Sequence, residues 1–110
     1  MRKQNPYTLP DDVRQQAIGA LRGYHRLRQQ LAGMDAAAAP DSEQGVRRML
    51  IHGRLVAMDR AIAQIPEEYR KGLLDKLWYH APYPYIAGEA TWKRQRRKLL
   101  YYTAKYLAIP

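Results

Sequence analysis

The chain has 110 residues and no cysteine, so disulfides, thiolate metal sites and thiol chemistry are excluded. Its formal net charge is +9, from 19 Lys and Arg against 10 Asp and Glu. That excess makes nucleic acid the leading class of partner and an anionic membrane surface the second. The charge is uneven: residues 1–34 carry +4 and residues 81–110 carry +5, while 35–65 and 66–80 are each neutral. A merely solubilising surface does not require that segregation. No apolar run is long enough to span a bilayer, and Met1-Arg2-Lys3-Gln4-Asn5-Pro6 leads into no apolar stretch of the kind a secretory signal needs. A cytoplasmic protein with no membrane partner is expected.

Pro10-Asp11-Asp12 is a helix-start signal, a fixed φ followed by carboxylates at the positive end of the dipole. Val13, Ala17, Ala20, Tyr24, Leu27, Leu31 and Met34 then recur at four- and three-residue steps, which predicts one helix over about 11–34. The tract Asp35 to Pro40 reads as a short connection. A second helix opens with Asp41 or Ser42 as its cap. Ile51, Leu55, Met58, Ile62 and Ile65 form its main seam. Val46, Met49, Gly53 and Val56 form another apolar patch on the opposite side. A helix apolar on two faces sits between two partners. The first helix covers one face in an antiparallel hairpin, and the other calls for the C-terminal helices or a second protomer. Gly23 and Gly53, at similar distances from the 35–40 connection, would lie level and permit close backbone approach.

Pro66-Glu67-Glu68 starts a third helix, buried through Leu73, Leu74, Leu77 and Trp78 and running to about Tyr79. Pro82-Tyr83-Pro84-Tyr85 cannot continue it. Of the three tyrosines around these prolines, Tyr79, Tyr83 and Tyr85, at least two are expected to pack the connection onto the core. The last helix covers about 89–107. Trp92, Leu99, Leu100, Thr103, Tyr106 and Leu107 fall on one side of it. Lys93, Arg94, Arg97, Lys98 and Lys105 fall on the other, with Tyr101 among them. No acid occurs from Thr91 to Pro110. The fold class is therefore all-α: an N-terminal antiparallel helical hairpin over 1–65, then a helix-turn-helix-like unit over 66–110.

A helix that enters a major groove needs a solvated cationic face for phosphates and side chains that reach base edges. Arg94, Arg97 and Lys98 suit base edges, and Lys93 and Lys105 suit phosphates. Arg96 falls on the apolar side and reads as a snorkelling side chain over Trp92 or Leu99. Arg2, Lys3, Arg14, Arg22, Arg26 and Arg28 form a second basic cluster, better read as flanking a helix seam than as touching DNA. His25, His52 and His80 are too far apart for a local metal motif, and no nucleophile–base pair or phosphate-cradling loop is visible. Neither an enzyme nor a cofactor is implied.

Three stretches, Pro66 to Tyr79, Tyr83-Pro84-Tyr85, and Thr91 to Leu107, together with Leu21-Arg22-Gly23-Tyr24, resemble the RinA/ArpU-like phage transcriptional regulators. The C-terminal half of those proteins is similar to the helix-turn-helix of sigma-factor region four. The resemblance implies activation of phage or prophage promoters, including late genes, with Thr91, Lys93, Arg94, Arg97 and Lys98 as recognition-helix residues. It departs from the pattern at Pro82 and Pro84, which occupy most of the interval where a short turn is usual. The expected function is sequence-specific binding of double-stranded DNA by a transcriptional regulator, dimeric through its N-terminal hairpin. The rival is a small protein-interaction module that binds host RNA polymerase or another regulator through that hairpin. RNA binding is a third, weaker option.

Overall fold

The computed structural model describes residues 5–110; Arg2 and Lys3 of the N-terminal basic cluster lie outside them. The described residues form five helices and no strand: α1 (Asp11–Arg22), α2 (Tyr24–Ala32), α3 (Glu43–Ala63), α4 (Glu67–Tyr79) and α5 (Glu89–Tyr106). The protein is all-α.

The single helix expected over 11–34 is two. At Gly23 the ladder loosens, and its N–H is shared between the carbonyls of Gly19 and Ala20, both at 3.1 Å. The physical reason is tertiary: α1 packs against α5 and α4, whereas α2 packs against α3. Gly23 is where the helix is interrupted between them. Gly53 has open space around it, so the close approach of Gly23 and Gly53 does not form.

α2 and α3 run antiparallel. The Tyr24 hydroxyl at the start of α2 donates to Asp59 near the end of α3 at 2.7 Å. Ser42 is the cap of α3: its Oγ accepts from the Gly45 N–H at 3.0 Å and donates to the Ala39 carbonyl at 2.6 Å. A side chain at Gly45 would collide with that carbonyl, so the loop closes over the first turn only because a glycine is there.

α4 is tied down at both ends. Arg70 donates to the carbonyls of Ile65 (2.8 Å) and Ala63 (3.2 Å), which the end of α3 leaves unpaired. At the other end the Trp78 indole N–H donates to the Leu21 carbonyl at 2.8 Å, and Arg22 Nε donates to the Leu77 carbonyl at 3.3 Å. His80 then stops α4 in the left-handed conformation (φ 56°). The N–H groups of His80 and Ala81 reach back to the carbonyls of Lys76 and Asp75, the double closure that commonly ends a helix.

One core joins all five helices, with Leu21, Met58, Ile65, Leu73, Trp92 and Leu99 among its fully buried side chains. The packing does not divide at residue 65. α5 is the hub, lying against α1, α3 and α4. The second apolar face of α3 stays largely uncovered: Val46, Met49, Leu50 and Val56 are 43 to 66% exposed. The extents, 53 × 33 × 21 Å, fit this picture of a hairpin extending beyond the core, and in α2 only Tyr24 is buried.

Candidate nucleic-acid interface

α5 begins after Gly88 without a side-chain cap and carries Glu89 in its first turn. Trp92, Leu99, Leu100, Thr103 and Ala104 are buried, and Thr103 satisfies its hydroxyl by donating to the Leu99 carbonyl at 2.8 Å. Burial of this stripe, at about 2 kcal/mol for each large side chain, holds the helix on the core and leaves the opposite stripe to solvent.

Lys93, Arg94, Arg97 and Lys105 are exposed, while Thr91, Lys98 and Tyr101 are half-buried. Arg94, Arg97 and Lys98 have no ion-pair partner among the described residues. Lys93 meets Glu89 at 3.4 Å, one turn back. That pair is exposed on both sides, so it contributes at most about 1 kcal/mol and a phosphate can displace it.

The seven candidate residues do not form one continuous face. Tyr7, from the segment before α1, rests edge-on against Tyr101 with ring centroids 5.3 Å apart and lies 6.0 Å from Tyr102. Tyr102 stacks in turn on Tyr106. Burial, helped by the Tyr7 hydroxyl, raises the Tyr102 phenol above its ordinary range. Tyr101 is thus engaged by aromatic packing in the middle of the basic face. Lys105 lies beyond it, about 16 Å along the axis from Arg94 at 1.5 Å per residue. The open part of the face is the N-terminal half: Lys93, Arg94 and Arg97, with Thr91 and Lys98 at its edge.

Trp92 sets the presentation of this half. Its indole N–H donates to the Pro84 carbonyl at 3.1 Å, and Tyr83 stacks on it at 4.8 Å with planes only 4° apart. Tyr69 of α4 meets it edge-on at 5.3 Å, and Gly72 leaves room for its ring. Tyr83 and Pro84, in the connection, are therefore tied to both flanking helices. Lys76 lies 5.4 Å over the outer face of Tyr83.

Two expectations about side chains change. Only Tyr83 of the three connection tyrosines packs. Tyr79 is 65% exposed, with its ring beside His25 and Trp78, and Tyr85 is fully exposed at a turn whose next residue, Ile86, is also open. Arg96 does more than cover apolar surface. It lines a cleft of about 380 Å³ between α5 and the chain before α1, together with Tyr7, Thr8, Leu9, Arg14, Lys93, Arg97 and Leu100. Sequence periodicity misses this cleft because Tyr7, Thr8 and Leu9 precede the first helix and carry no repeat.

The described residues contain no cluster of three or more potential metal ligands, and no helix is long and apolar enough to cross a membrane. The chain matches no protein-family model, no curated protein and no solved structure. Its functional reading therefore rests on the chemistry of the site itself.

Proposed function

We propose that the protein is a sequence-specific, double-stranded DNA-binding transcriptional regulator that reads DNA with the N-terminal half of α5. One observation carries this reading: Lys93, Arg94 and Arg97 stand exposed in a row on a helix whose orientation Trp92 fixes. Arg94 and Arg97, without competing carboxylates, suit guanine edges, and Lys93 suits a flanking phosphate. N-terminal residues of a recognition helix are those that reach bases in this mode of docking. The resemblance to RinA/ArpU-like regulators supports promoters of a phage or prophage as the targets, with the protein acting in the bacterial cytoplasm.

The test is duplex binding by fluorescence anisotropy at stated salt, using sequences selected from a random library. With five phosphate contacts, affinity should fall on the order of 500-fold between 50 and 200 mM salt. The double charge reversal Arg94→Glu, Arg97→Glu should abolish duplex binding while the helical circular dichroism is unchanged. Full-strength binding by that variant sinks the reading.

A second reading has its own observation, the exposed apolar stripe Val46, Met49, Leu50 and Val56 on α3. Such a patch suits a protein partner, whether a second copy of this chain, host RNA polymerase or a host regulator. Gel filtration and a pull-down separate the two readings: a tight protein complex with no DNA shift favours the second.

A further inference from the structure

The cleft beside α5 has a composition that cationic helix faces do not have by themselves. Four cationic residues from two separate elements line it: Arg14 from α1, and Lys93, Arg96 and Arg97 from α5. No acidic residue lines it. Leu9 and Leu100 supply apolar wall, and Thr8 brings a hydroxyl group. The wall formed by residues 7–9 is shaped locally. Asn5 Oδ1 accepts from the Tyr7 N–H at 2.9 Å and the Asn5 carbonyl accepts from the Thr8 N–H at 3.1 Å, which turns the chain back toward α1.

Arg14, Arg96 and Lys93 are not needed for base edges, and two arginines and a lysine on an acid-free cleft match one kind of ligand well. A phosphate oxygen set accepts paired N–H bonds from the planar fork of Arg, and a hydroxyl completes the shell. The ion pairs at its rim do not oppose this. Arg14 meets Asp11 at 3.3 Å and Lys93 meets Glu89 at 3.4 Å, both with the carboxylate well exposed. Exposed pairs of this kind are weak enough to open.

We infer that this cleft is a phosphate-binding site, seating a phosphodiester group of the duplex that Arg94 and Arg97 read. The identification of the phosphate's source rests on the DNA-binding reading; the affinity of the cleft for phosphate does not. Arg14 and Arg96 are then positioning residues for the duplex. They hold a backbone group beside the recognition residues and so fix the register of α5, without themselves carrying sequence information.

Two arms test this. In the first, inorganic pyrophosphate is titrated into the full chain and followed by NMR at the arginine Nε–H groups and at the amides of Tyr7, Thr8 and Leu9. Saturable shifts confined to the cleft are expected, and Arg14→Gln or Arg96→Gln should raise the dissociation constant about tenfold. Arg54→Gln on α3, a control outside the cleft, should leave it unchanged. In the second arm the same variants meet a selected duplex. Each should lower the salt slope by about one and weaken all sequences equally. A response in both arms supports a duplex phosphate. A response to pyrophosphate alone, with normal duplex binding, supports the site with a free phosphoanion as its ligand. Loss in the duplex arm alone also supports the site, as one that requires the polymer. If Arg14→Gln and Arg96→Gln bind both ligands as the native chain does, the inference is overturned. If the native chain binds no duplex, the DNA reading fails while the pyrophosphate arm still decides the cleft.

Discussion

Gly72→Ala is the sharpest test of how α5 is presented. Within a helix interior, Gly to Ala ordinarily stabilises by about 1 kcal/mol, and Gly72 lies in the middle of α4. The surroundings reverse the sign. A Cβ at this position would fall 2.6 Å from Trp92 Cη2, and 3.0 Å from both Trp92 Cζ3 and Pro84 Cδ. Trp92 cannot swing aside, because it is fully buried, stacked on Tyr83, edged by Tyr69 and hydrogen-bonded to Pro84. Overpacking a rigid site of this kind costs roughly 1–3 kcal/mol. After subtracting the propensity gain of about 1 kcal/mol, a net loss of about 0–2 kcal/mol remains, or up to roughly 10 °C in Tm for a domain of this size. Gly53→Ala on α3 is the matched control. Nothing lies within 4 Å of its added Cβ, so it should gain about 1 kcal/mol. Thermal and urea denaturation of both variants measure the contrast, and tryptophan fluorescence reports on the ring directly. Duplex affinity should fall for Gly72→Ala and hold for Gly53→Ala. If Gly72→Ala proves as stable as Gly53→Ala, the view of Trp92 as a rigid strap between α4, the connection and α5 is refuted.

Ser42→Ala removes the acceptor for the Gly45 N–H and should destabilise the chain by about 1 kcal/mol, visible as a lower urea midpoint with an unchanged m-value. Tyr24→Phe tests the alkaline limb of stability. Burial, then the hydrogen bond to Asp59, raises the Tyr24 phenol above its ordinary value of 10.0. The stabilisation is therefore complete below pH 10 and is lost as pH rises through the higher folded value. The native chain should lose stability more steeply above pH 10 than Tyr24→Phe does, and parallel curves would show that Tyr24 does not carry that limb.

The sequence was most legible where periodicity and burial coincide. Ile51, Leu55 and Met58 on α3, Ile65 just beyond its end, and Trp92, Leu99 and Leu100 on α5 follow the helical period and are buried as expected. The break at Gly23 was hidden because the apolar seam runs through it without a slip, and one glycine inside a helix carries no signal that the two halves dock on different partners. The contribution of Arg96 was hidden by the same logic in reverse. Its wheel position faces the core, but a cleft lined by residues 7–9 opens beside it there. Tyr7 and Gly72 were beyond reach altogether. Each matters through its tertiary neighbours, Tyr101 and Tyr102 for Tyr7, Trp92 and Pro84 for Gly72, and none of these contacts leaves a trace in spacing.

The two cationic ends of the chain have different fates, and the difference bears on mechanism. In sequence they look alike, +4 and +5 around a neutral middle. In the fold, Arg14 crosses to α5 and joins Lys93, Arg96 and Arg97 around one cleft. Arg22 is turned to the end of α4, where it donates to the Leu77 carbonyl, and Arg28 sits 5.8 Å over the Tyr24 ring. Only part of the N-terminal charge is thus assembled with the C-terminal charge, and helix packing selects which part. α1 packs on α5 and α2 on α3, so Arg14 lies in the helix that meets α5, whereas Arg26 and Arg28 lie in the helix that meets α3. The packing of α1 on α5 places a cation from the first helix beside the N-terminal half of the last. There it can fix a backbone phosphate while Arg94 and Arg97 remain free for base edges.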